Sequence, residues 1–112
     1  MRDPIEHRLQ ELRELARKYA KARAQQGYLE EFKKSKLAIL MKQAERLGFT
    51  TNAAQEREAR AEPQYLELLE GLRDATEQAE ESRWLLEIAK LGVDLYRTKQ
   101  ANLRAERTGY GA

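Results

Sequence analysis

The sequence predicts an all-α protein: two long antiparallel helices forming a helical hairpin, joined by a short helix and packed in a homo-oligomer. Three observations lead there. The dominant residues are Ala, Glu, Leu, Arg, Lys and Gln, whose side chains lose little rotamer freedom on a helix. β-branched residues are scarce, limited to Ile5, Ile39, Ile88, Val93 and five threonines, and no stretch alternates apolar with polar residues as a half-buried strand does. Leucines and aromatics recur every three or four positions, which argues against disorder although 36% of the 112 residues are charged. The length allows one domain.

The first helix is expected over about residues 4–47. Asp3 can cap it, Pro4 suits its first position, and Glu6 sits three residues after the cap. Ile5, Leu9, Leu12, Ala16 and Tyr19 form a coiled-coil-like seam that fades at Arg23 and Gln26. The stripe resumes one step round the helix with Leu29, Phe32, Ile39, Leu40 and Leu47. Gly27 lies at this change of phase, as a bend, a close crossing or a tolerated interior glycine. Gly48 followed by Phe49 reads as a left-handed glycine stop of the Schellman kind.

Thr50, Thr51 and Asn52 offer caps for a short helix over about 52–61, which ends because Glu62 precedes a proline. Pro63 then opens a third helix to about residue 108, and Gly109 with Tyr110 repeats the glycine-plus-aromatic stop, leaving a tail at 109–112. Its stripe contains Tyr65, Leu66, Leu69, Leu72, Ala79, Leu86, Ile88, Ala89, Val93 and Tyr96. An antiparallel hairpin of this form places Phe32 near Ala79 and Tyr19 near Gly92. Leu37, Met41, Leu68, Trp84, Leu85, Leu91 and Leu95 fall off the main seams, so each helix is apolar over more width than one partner covers. That excess predicts the homo-oligomer, with Trp84, Leu86 and Ile88 at its interface.

Several chemistries are set aside by composition. There is no cysteine, which removes disulfides, thiolate metal sites and thiol catalysis, and the lone His7 supplies neither a histidine pair nor a triad. The acidic run EQAEES (77–82) has helical spacing but no histidine and reads as a solvated face. Asp94 beside Arg97 has ordinary i, i+3 spacing. No Gly-rich phosphate loop, bilayer-length apolar run or secretory h-region occurs in the sequence. The expectation is a non-enzymatic protein of the cytoplasm, with no cofactor and no metal.

Charge is unevenly distributed. Residues 1–49 carry 12 basic and 7 acidic side chains, 50–82 carry 3 and 9, and 83–112 carry 6 and 3, so the total of +2 hides a separation. In the expected hairpin Arg13, Arg17, Lys18, Lys21 and Arg23 share an end with Arg97, Lys99, Arg104 and Arg107, opposite an acidic connection. A basic end is a footprint for phosphates. Tyr19, Tyr96 and Tyr110 lie near it and can stack on unpaired bases, Tyr110 being the freest. A solvated basic face and seam tyrosines are the plainer alternatives.

The segments YLEEFKKSKLAILMKQAE, AAQEREARAEPQYLELLEGLR and RWLLEIAKLGVDLYRTKQANLRAE resemble a group of short helical proteins encoded by tailed phages. More distantly, the order of features resembles the UvsY recombination mediators of T-even phages. Trp84, Ile88 and the run from Asp94 through Tyr96, Arg97 and Ala101 to Arg104 match that family's aromatic-apolar stretch leading into a basic, small-residue run. The chain is shorter than the family's members and its connection is more acidic. The resemblance implies a ring-like oligomer that binds single-stranded DNA and helps load a recombinase onto strands covered by single-strand-binding protein, in the host cell cytoplasm. The expected function is therefore a phage DNA recombination or replication accessory factor. Its nucleic-acid-binding residues would be Arg13, Arg17, Lys18, Lys21, Arg23, Arg97, Lys99, Arg104, Arg107 and Tyr110, and its protein partner a recombinase or single-strand-binding protein. The alternatives are a protein-binding adaptor or inhibitor of a host defence complex, and a virion or packaging component.

Overall fold

The computed structural model describes residues 3–111, with side chains through Gly109. Helix α1 runs Pro4–Arg46, α2 Asn52–Ala61 and α3 Pro63–Gly111, and there is no strand among the described residues. The fold is all-α. Among the described residues no helix is long and apolar enough to cross a membrane. The chain divides into two compact units: a middle unit, Lys21–Glu80, and a terminal unit, Met1–Ala20 with Glu81–Ala112. In each, a stretch of α1 packs antiparallel to a stretch of α3.

The middle unit contains the connection, and local chemistry sets its boundaries. Gly48 takes φ +109°. The Phe49 N–H donates to the Ala44 carbonyl and the Gly48 N–H to that of Glu45, both at 3.1 Å, which completes the Schellman pair of bonds. Thr51 caps α2, its hydroxyl accepting from the Ala54 N–H at 3.1 Å, and the Gln55 side chain donates to the Phe49 carbonyl at 2.9 Å. Glu62 is extended ahead of Pro63, as the proline ring requires.

Leu40, Ala59 and Tyr65 form the buried cluster of this unit, with Leu37 and Met41 packed against it. Because α2 returns Ala59 onto Leu40, α3 starts level with Leu40 and not with the end of α1. The expected register is corrected accordingly. Gln26, not Phe32, meets this part of α3, its amide donating to the Thr76 hydroxyl at 3.2 Å. In the terminal unit, Arg8 and not Tyr19 lies against Gly92, with its Nη1 at 3.6 Å from where a Cβ would stand.

The Gln26–Thr76 bond also removes the expected change of phase. Thr76 in turn donates to the Leu72 carbonyl at 2.8 Å, so two polar seam residues are satisfied without leaving the seam. The covered positions of α1 continue through Ala22 and Gln26 to Leu29, and Leu15 replaces the exposed Ala16. Phe32, Ile39 and Leu47 are exposed. Gly27 is an interior helical glycine with open space around it.

In the terminal unit Asp3 caps α1, its carboxylate accepting from the Ile5 N–H at 3.1 Å. Ile5, Leu9, Leu12, Leu15 and Tyr19 are half-buried on α1, and Ser82, Leu86, Ala89, Val93, Tyr96 and Gln100 are the covered positions on α3 at alternating spacings of four and three. The expected stop at Gly109 is not used, since α3 continues to Gly111. Residues 101–109 are all exposed, so no apolar surface there rewards a left-handed turn.

The acidic connection does not make the whole middle unit acidic. The acidic run after residue 50 shares the middle unit with Lys33, Lys34, Lys36 and Lys42. That unit carries 10 basic and 11 acidic side chains, and the terminal unit 11 and 8.

Candidate nucleic-acid interface

The terminal unit brings Arg97, Gln100, Arg104 and Arg107 to one depression, lined also by Asp3, the cap of α1, and by Ile5 of α1. Spacings of three, four and three place these α3 residues along one helix face, over about 15 Å of helical rise. Among the described residues no carboxylate lies within ion-pair distance of Arg97, Lys99, Arg104 or Arg107. Asp94 and Arg97 make no ion pair despite their i, i+3 spacing. Asp3 is the acidic residue in the lining of the depression, and one of its oxygens is committed to the cap of α1. Three guanidinium groups in a row, unpaired and exposed, offer planar forks suited to phosphate oxygens.

Lys99 stands apart from this row. It lines a second depression with Arg8, Gly92 and Leu95. Arg8, which carried no functional reading in the sequence, lays its guanidinium 5.2 Å from the Tyr96 ring centroid. Tyr96 is thus a half-buried seam residue with one face covered by a cation, and Tyr19 is half-buried too. Neither is a free stacking platform. The side chain of Tyr110 lies outside the described residues. Gly92, an interior helical glycine opposite α1, was the one sequence signal for the approach of Arg8.

The expected α1 contribution is corrected by the register. Arg13 donates to Gln10 of its own helix at 3.3 Å. Arg8 is level with Gly92, and Arg17 lies about 13 Å of helical rise further from the α3 row. That exceeds a Debye length of about 8 Å in physiological salt. Arg13, Arg17 and Lys18 share the terminal unit with the row but do not line its depression. Lys21 and Arg23 belong to the middle unit, where Arg23 donates to Gln26 at 3.0 Å. The assembled site draws its cations from α3.

The three expected interface residues also separate. Leu86 is half-buried on the face turned to α1, so it belongs to the intrachain seam. Trp84 and Ile88 point outward and are exposed, with the Arg83 guanidinium 4.7 Å from the Trp84 ring centroid. His7 contacts Glu11 at 3.3 Å on an exposed turn. Among the described residues no three His, Cys, Asp or Glu side chains gather as a metal set.

No family model, no curated protein and no solved structure matches this chain.

Proposed function

We propose that this chain is a non-enzymatic DNA accessory factor that holds single-stranded DNA through Arg97, Arg104 and Arg107 of α3. The observation that carries the reading is the row of three unpaired, exposed guanidinium groups on one helix face. Each can displace condensed counterions from a phosphate, and none must first break an ion pair to do so. Gln100, between them, adds a neutral donor for a phosphate or sugar oxygen. The likeness to phage recombination mediators supports the single-stranded form and points to a recombinase or single-strand-binding protein as the protein partner.

The test is direct. Wild-type protein mixed with a labelled single-stranded oligonucleotide at roughly 0.1 M salt should give a retarded complex. Competition by unlabelled single strands should exceed competition by duplex. A duplex preference would replace this reading with one based on groove or backbone binding to double strands. A protein-only adaptor is favoured by a different observation, the exposed apolar stripe on α3, and it predicts no DNA complex at that salt.

A further inference from the structure

In the terminal unit α3 carries two apolar stripes. One, through Leu86, Ala89, Val93 and Tyr96, is turned toward α1. The other consists of Trp84, Ile88, Leu91 and Leu95, is turned away from α1 and is between 57% and 70% exposed, with the Arg83 guanidinium of the same helix over the Trp84 ring. Their spacings of four, three and four residues are those of a coiled-coil seam. A contiguous exposed stripe of this size on a folded protein marks an interaction surface.

The charges beside the stripe identify what covers it. With Ile88 and Leu95 at heptad positions a, and Trp84 and Leu91 at d, the g positions are Glu87 and Asp94 and the e positions are Leu85, Gly92 and Lys99. In a parallel pair of identical helices each g residue faces the e residue of the next heptad on the partner. Asp94 then meets the partner's Lys99, twice by symmetry, and Glu87 meets the partner's Gly92. An antiparallel pair instead sets Glu87 against the partner's Asp94, again twice, where like charges repel. Within one chain Glu87 already has Lys90 at 3.2 Å. Asp94 and Lys99 have no ion-pair partner among the described residues. The two charges left unpaired in the single chain are the two that complement each other across a parallel seam.

We propose that the chain self-associates through the Trp84–Leu95 stripe of α3, parallel and in register with a second copy of itself, with Asp94 of each chain paired to Lys99 of the other. This pairing does not depend on DNA binding. It gives Lys99 a role at the seam and leaves Arg97, Arg104 and Arg107 on another face of the helix.

Because the chain has no cysteine, a single introduced thiol reports the geometry. In a parallel pair Leu95 lies beside the partner's Leu95, whereas in an antiparallel pair it lies beside the partner's Trp84. Leu95→Cys should form a disulfide-linked dimer under mild oxidation, and a mixture of Trp84→Cys with Leu95→Cys chains should give no mixed dimer. Sedimentation equilibrium of the wild type should show a dimer whose dissociation constant rises about fivefold in Lys99→Asp. The charge-swapped double variant, Asp94→Lys with Lys99→Asp, should restore it. Ile88→Asp should give monomers with unchanged helical circular dichroism. A wild type that stays monomeric at all concentrations would overturn the proposal and assign the stripe to a different protein. So would cross-linking only in the Trp84→Cys and Leu95→Cys mixture, or a double variant no tighter than the single.

Discussion

The two units of the chain are built from the same two helices yet differ in how much they bury. The middle unit adds α2, and with it a cluster in which Leu40, Ala59 and Tyr65 are buried together. Ala44, Ala75 and Ala79 are buried there as well. The terminal unit has two helical stretches only, and among its described residues Ser82 and Val93 are buried. Two helices can cover one stripe on each other and no more, so a helix that is apolar on two faces must leave one exposed. A third helix, even one of 10 residues, changes that. The buried cluster belongs to the unit with the third helix, and the unpaired guanidinium row and the Trp84–Leu95 stripe to the unit without it.

That contrast makes graded predictions. Leu40→Ala should cost about 2–5 kcal/mol, because it opens a cavity in the one cluster where three helices meet. Urea unfolding of the middle unit should shift to a clearly lower midpoint. Val93→Ala, at the best-buried apolar position of the terminal unit, should cost less, about 1–2 kcal/mol for the methyl groups lost. Equal costs at the two positions would remove the distinction between the units.

Smaller effects should follow at the connection. Gly48→Ala forces an L side chain into φ +109° and should cost about 1–2 kcal/mol although the space around it is open. Thr51→Ala removes the hydroxyl that accepts from Ala54 and should cost about 1 kcal/mol. Amide hydrogen exchange should show both losses in α2 and the adjoining turns of α1 and α3, with protection of residues 85–95 unchanged. Loss of protection across residues 85–95 in either variant would mean that the units unfold as one.

How much of this was legible in the sequence depended on whether the cause was local. The stop at Gly48–Phe49, the cap at Thr51 and the break at Glu62–Pro63 are determined by a few adjacent residues, and the structure places each where those residues indicate. Register is not local. It depends on α2 turning back so that Ala59 reaches Leu40, and no residue of α2 announces its direction. The inward face of α3 was ambiguous for a different reason, since Leu86–Val93 and Trp84–Leu95 both have seam spacing. Gly109 had the residues of a stop but no packing partner, and the helix ran on. For the candidate site, Arg97, Arg104 and Arg107 were legible as a basic run on one helix. Their separation from Arg13, Arg17 and Lys18 was not, because it follows from register, and the placement of Arg8 over Tyr96 follows from it too.

On the proposed function, the cations of α3, and not those of α1, hold DNA. Fluorescence anisotropy of a labelled single strand, titrated with protein across salt concentrations, tests it most directly. With three phosphate contacts the slope of log K against log salt should be near −2, at roughly −0.7 per contact. Replacing Arg97, Arg104 and Arg107 by Ala should weaken binding to all sequences alike and bring the slope close to zero. Replacing Arg13, Arg17 and Lys18 by Ala should leave it nearly unchanged. An unchanged slope in the α3 variant, flattening in the α1 variant, or no complex of the wild type at about 0.1 M salt would rule out DNA binding through the α3 row.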